Sequence, residues 1–122
     1  MMATMRGSAG SSARELTLND NPPASGAEAV EAFLATALKT YDDGTPRTRH
    51  VTSNVILEIE EPRREASGWS YVTTFQATDG LPLQPIACGR YHDRFEQIDG
   101  RWIFRSRHVV TGLVGDLKHH RR

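Results

Sequence analysis

Tyr91, Asp93, Phe95, Trp102, Phe104, Ser106 and His108 occupy alternate positions of two runs joined by Asp99-Gly100. Asp-Gly is the strongest short-range signal for a two-residue type I′ hairpin, and such a turn fixes register. Ile98 then faces Arg101, Phe95 faces Phe104, Asp93 faces Ser106 and Tyr91 faces His108. The second face carries Arg90, His92, Arg94, Glu96, Arg105 and Arg107. An aromatic floor ending in a Tyr, Asp, His cluster is what a small-molecule pocket needs. A carboxylate there orients an imidazole, whose pKa of about 6.5 suits proton transfer at neutral pH. The same face also describes a satisfied polar spot in a core, with Asp93 accepting from an arginine or from Tyr91, and at this point both readings stand.

Other chemistries are excluded more firmly. Lys plus Arg and Asp plus Glu each total 15, so no net field invites nucleic acid or an anionic membrane. Cys88 is the only cysteine, which rules out an internal disulfide and a second thiolate for zinc. The five histidines include no pair at helical zinc spacing, so no metal is expected. Phosphate-cradling glycine loops and a nucleophile elbow are absent. No run approaches the roughly 18 apolar residues that span a bilayer, and the N-terminus lacks a secretory apolar core. The expected location is the cytoplasm.

The hairpin needs a body to hold it. At 122 residues and 38% hydrophobic content, one domain with one modest core is expected. Residues 1–13 are Gly, Ser, Ala and Met without periodicity and read as a disordered leader. The domain proper is 14–117, and 118–122 is a basic, solvated tail. A short strand is expected around residues 15–18. A helix follows at about 26–41, with Ser25 and Glu28 as capping box and Val30, Phe33, Leu34, Ala37, Leu38 and Tyr41 as its apolar stripe.

From there the chain reads as all β. Residues 49–61 alternate, with Val51, Val55, Leu57 and Ile59 on one face and His50, Thr52, Asn54 and Ile56 on the other. Residues 68–78 are rich in β-branched and aromatic types, including Trp69, Tyr71, Val72 and Phe75. Strands this long must twist and coil, and a coiled sheet has a concave face that a helix can close. The fold class is therefore α+β: a cone-shaped, strongly curved antiparallel or mixed sheet packed on one main helix.

Taken in order, Gly26-Ala27-Glu28-Ala29-Val30, Thr48-Arg49-His50-Val51-Thr52-Ser53-Asn54, Gly89 to Phe95 and Asp99 to Arg107 resemble the SnoaL-like, polyketide cyclase-like branch of the nuclear transport factor two superfamily. The resemblance covers roughly residues 15 to 115. It implies a cone with an internal hydrophobic pocket, a small apolar or polyketide-like ligand, no cofactor, and pairing of two copies through the sheet. Family activities include polyketide cyclases, dehydratases, ketosteroid-type isomerases and epoxide hydrolases, which share proton transfer in a dry cavity. By resemblance His50 is the catalytic base, Tyr71 falls near a second polar group of the site and Arg107 near an arginine that holds substrate. From the residues themselves, Asp93 is the candidate that orients His50 or His108, Tyr91 and Asn54 are candidates to fix a substrate oxygen, and Phe95, Phe104 and His108 line the pocket face. The competing readings are His50 bonded to a neighbouring carbonyl, and Tyr91 and Asn54 satisfying backbone at a bulge.

Family members normally begin with one or two long helices that close the cone, and residues 1–24 do not resemble them. A pocket open on one side, or covered by a partner subunit, is the expectation. The competing reading is a non-catalytic ligand-binding or dimeric assembly module. Strict alternation also sets Arg107 opposite Tyr91 and Asp93, unless a β-bulge flips the strand beyond it.

Overall fold

The computed structural model describes residues 14–122, so the expected leader lies outside the described residues. Among them, β1 (Glu15–Leu18), β2 (Ala24–Ser25), α1 (Ala27–Ala37), β3 (Thr48–Glu60), β4 (Glu65–Thr78), β5 (Leu81–Ile98) and β6 (Arg101–Val114) follow one another. The strands make one sheet in the order β2-β1-β6-β5-β4-β3. β3 to β6 form an antiparallel meander, while β1 runs parallel to β6 with Glu15 opposite Ser106 and Leu18 opposite Val109. The α+β class and the mixed curved sheet are as expected.

The hairpin turn is the one that Asp99-Gly100 encodes. Both residues have positive φ, 53° and 77°, as type I′ requires. Ile98 pairs with Arg101 and Phe95 with Phe104, as read from the sequence. Beyond Phe104 the ladder slips: Arg94 pairs with Ser106, leaving Arg105 as an extra residue. That bulge brings Arg107 opposite Asp93 and Val109 opposite Tyr91, in place of Ser106 and His108.

A second bulge reorders β3. Ser53 pairs with Tyr71 but Ile56 with Trp69, and Asn54 between them takes the left-handed conformation at φ 54°. One extra residue inverts the alternation, so His50 and Thr52 share a face with Leu57 and Ile59. The uniform alternation expected for residues 49–61 is thereby corrected.

The helix is shorter than the stripe suggested. It starts after Gly26, whose φ of 88° suits glycine, and carries no side-chain cap bond. Ser25 Oγ instead donates to the Glu15 carboxylate at 3.3 Å. At the other end Leu38 turns extended and bridges to Arg121. Val30 is fully buried, and Leu16, Ala66, Val72, Leu81, Ile86 and Tyr91 complete the core among the described residues.

Residues 118–122 do not hang free. Lys39 N–H donates to the His120 carbonyl at 2.8 Å and Arg122 N–H to the Ala37 carbonyl at 3.0 Å. Gln76 Nε2 and the Tyr41 hydroxyl both donate to the His119 carbonyl. The chain end is thus laid between the helix terminus and β4.

Candidate functional site

Alternation along β4 identifies the inner face. Ala66, Gly68, Ser70, Val72, Thr74 and Gln76 are buried, while Trp69 and Tyr71 are exposed. Cross-strand register extends that face in rows. His50 stands with Thr74 and Ala87, and Thr52 with Val72, Gly89 and Thr111. Ser70 stands with Tyr91 and Val109, and Leu57 with Gly68, Asp93 and Arg107. Ile59, Ala66, Phe95 and Phe104 form the last row. Ser70, Val72, Gly89 and Thr111 stand beside Tyr91, Asp93 and Arg107 in the middle of the floor, with an apolar end at Phe95 and Phe104 and a polar end at His50 and Gln76. Glycine is required at position 89, because a Cβ there would lie 2.5 Å from the Val110 carbonyl oxygen.

The centre is a buried ion pair. Arg107 Nε and Nη2 donate to the two carboxylate oxygens of Asp93 at 2.7 and 2.8 Å. Its guanidinium lies over the Tyr91 ring at 3.6 Å and reaches the Phe104 ring at 5.2 Å. Such a planar, bidentate and stacked arrangement suits arginine and no other cation. Asp93 is therefore engaged by Arg107, and no hydrogen bond joins it to a histidine among the described residues. Burial raises the Tyr91 pKa, with the Arg107 charge opposing and the Asp93 charge adding to the shift, so the phenol keeps its proton at neutral pH.

His50 lies at the polar end of the floor. Solvent reaches it from the edge of the sheet, since β3 is the last strand among the described residues. Desolvation by the surrounding protein nevertheless lowers its pKa, with the Arg107 charge as second cause. A neutral imidazole with a lone pair is thus present at physiological pH, facing the side of the sheet that carries Arg107. That is the protonation state a general base needs.

Phe95 and Phe104 stack at 5.2 Å on the inner face, where the sequence placed them. Three expected contacts are elsewhere. Tyr71 pairs with Arg90 on the outer face and is 55% exposed, because odd positions of β4 point away from the core. His108 is turned to the outer face by the Arg105 bulge, opposite His92, and its Nε2 donates to the Asn19 carbonyl at 2.8 Å. Asn54 forms the β3 bulge and has no partner across β4. Trp69 and His92 stack at 5.0 Å on the outer face.

Sequence reasoning missed Ser70, Thr74, Gln76 and His120. The first three were signalled by uncharged polar residues at even positions of β4. Nothing in the sequence linked His120 to His50. Among the described residues no group of three His, Cys, Asp or Glu is placed to hold a metal ion. A separate depression of about 320 Å³ is lined by Arg14, Glu15, Ser25, Glu96, Arg105 and Ser106. Within it Arg105 donates to Glu96 at 2.6 Å and Ser25 to Glu15 at 3.3 Å, and none of the His50 row reaches it.

The model of the SnoaL-like domain matches residues 11–108 of the chain. Solved structures share the fold. A protein provisionally named scytalone dehydratase, from Novosphingobium aromaticivorans, is 26% identical with a TM-score of 0.61, covering 86% of this chain and 67% of its own. Rv3472, a protein of unknown function from Mycobacterium tuberculosis, is 21% identical with a TM-score of 0.64, covering 84% of this chain and 56% of its own. The hexachlorocyclohexane dehydrochlorinase LinA-type3 from Novosphingobium barchaimii is 20% identical with a TM-score of 0.64, covering 88% and 70%. The present chain thus spans little more than half of Rv3472 and about two thirds of the others. No curated protein matches it.

Proposed function

From a chain that belongs to the SnoaL-like family, we propose a pocket protein that binds a small, mostly apolar cyclic molecule on its inner face and moves a proton on it. His50 removes a proton from a carbon beside a carbonyl or a leaving group. Arg107, neutralised in part by Asp93, stabilises the negative charge that develops, and Tyr91 donates to a substrate oxygen. Phe95 and Phe104 hold the apolar part. Isomerisation, dehydration and cyclisation all begin with this step, and no cofactor is called for. The dehydratase and dehydrochlorinase names among the similar structures denote eliminations of the same kind.

The observation that carries this reading is the placement of His50 on the face that bears the Arg107 guanidinium, where desolvation lowers its pKa. Deuterium exchange at the carbon next to the carbonyl of 1-tetralone, followed by NMR in heavy water, tests it. The wild type is expected to exchange faster than buffer, and His50→Gln to return to the buffer rate with unchanged thermal unfolding. Exchange that survives in His50→Gln would remove His50 as the base.

The alternative is a non-catalytic binding or assembly module, favoured by Leu57, an inner-face residue that is 58% exposed at the open edge. In either case we expect two copies to pair through the outer face, where Trp69 and Tyr71 are exposed. Light scattering at micromolar concentration should give a dimer, and a monomer would sink this part. The single unpaired Cys88 suits a reducing cytoplasm, and among the described residues no helix is long and apolar enough to cross a membrane.

A further inference from the structure

The chain end brings an imidazole to the polar end of the floor. Every hydrogen bond that docks residues 119–122 against α1, the segment after it and β4 uses a main-chain atom of the tail or the Arg122 guanidinium. His120 contributes its N–H to the Leu117 carbonyl and its own carbonyl to Lys39. Its side chain is not needed for docking. Yet Nδ1 of that side chain is buried with no partner among the described residues, and so is Oε1 of Gln76. Gln76 is 1% exposed, and its amide nitrogen is committed to the Pro46 and His119 carbonyls. Gln76 pairs with Thr48, one inner-face position before His50. The His119 carbonyl, next to His120 in the chain, accepts from the Gln76 amide, which sets this part of the tail at the His50 end of the floor; burial first and the His50 charge second lower the His120 pKa.

Buried polar atoms without partners are costly, and a native protein retains them where a ligand or water completes them. We infer that His120, with Gln76, forms a polar subsite beside His50 that holds a hydroxyl or carbonyl oxygen of an otherwise apolar cyclic ligand. Resting on the pocket proposed above, this specifies its occupant: one oxygen directed to the chain end, and the ring system towards Phe95 and Phe104. His120 is a binding residue here, and His50 remains the base.

The test uses the whole chain labelled with nitrogen-15 in its histidine rings, titrated with 1-naphthol and separately with naphthalene. The phenol is expected to move the ring signals of His120 and His50 together, leaving His108 in place. It should bind about five-fold tighter than the hydrocarbon, the value of one hydrogen bond. His120→Phe should erase that preference while keeping naphthalene affinity, and His120→Gln should retain part of it. A protected Lys39 amide verifies that the tail stays docked in both variants. His50 signals that move while His120 stays still, or a preference that survives His120→Phe, overturn the subsite alone. If neither probe moves His50, the pocket reading falls and the subsite with it.

Discussion

Arg107 is held flat against the Tyr91 ring by a bidentate pair with Asp93, and the three residues come from neighbouring strands on one face. Both charged side chains are about 10% exposed, so the pair is largely shielded from water. Asp93→Ala or Arg107→Ala should each cost about 3–5 kcal/mol in urea unfolding, because the survivor is a buried uncompensated charge. The double variant Asp93→Leu/Arg107→Met should recover at least half of that loss. A double variant no better than the singles would show that the pair is worth more than its desolvation cost.

Asn54 sets which face of β3 carries His50. Its φ of 54° is tolerated by Asn and Gly and strained for β-branched residues. Asn54→Gly should keep stability within about 0.5 kcal/mol, whereas Asn54→Val should cost about 1–2 kcal/mol. Calorimetry of the two variants decides it, and equal melting temperatures would mean that the bulge does not depend on the left-handed residue.

Much of the hairpin was legible. Asp99-Gly100 encodes its own turn, and register near a tight turn follows from that geometry. Legibility fails with distance from the turn, because the Arg105 bulge has no residue signature and moves Arg107 inward and His108 outward. Asn54 carried a signal, since an Asn inside an apolar-alternating run tolerates left-handed backbone, and alternation alone overlooked it. Leu38 continues the helical stripe in sequence but leaves the helix to pair with Arg121, a partner that periodicity cannot see. His120 was hidden for the same reason.

Protonation should oppose folding in a defined window. Burial lowers the folded-state pKa of His50 and of His120 below the ordinary 6.5. The unfolded chain therefore binds protons at about pH 6.5 that the folded chain refuses. Stability from these groups is complete above that value and is lost as pH falls through and below it. The melting temperature should drop between about pH 7.5 and pH 5.5, and drop less in His50→Gln/His120→Gln. Equal slopes for the two proteins would assign the acid sensitivity to other groups.

The parallel seam of β1 on β6 and the return of residues 120–122 to Ala37 and Lys39 join the two ends of the described residues to segments far from them in sequence. The meander closes through short turns, whereas these seams enclose long loops whose entropy must be met before any contact forms. Assembly should therefore run from the hairpin outwards, with the two ends zipped on last and released first. Hydrogen exchange at the Lys39 and Arg122 amides should be faster than at Val72 or Tyr91. A ligand bound beside residues 118–122 should slow exchange at the Lys39 and Arg122 amides selectively and leave Val72 and Tyr91 unchanged.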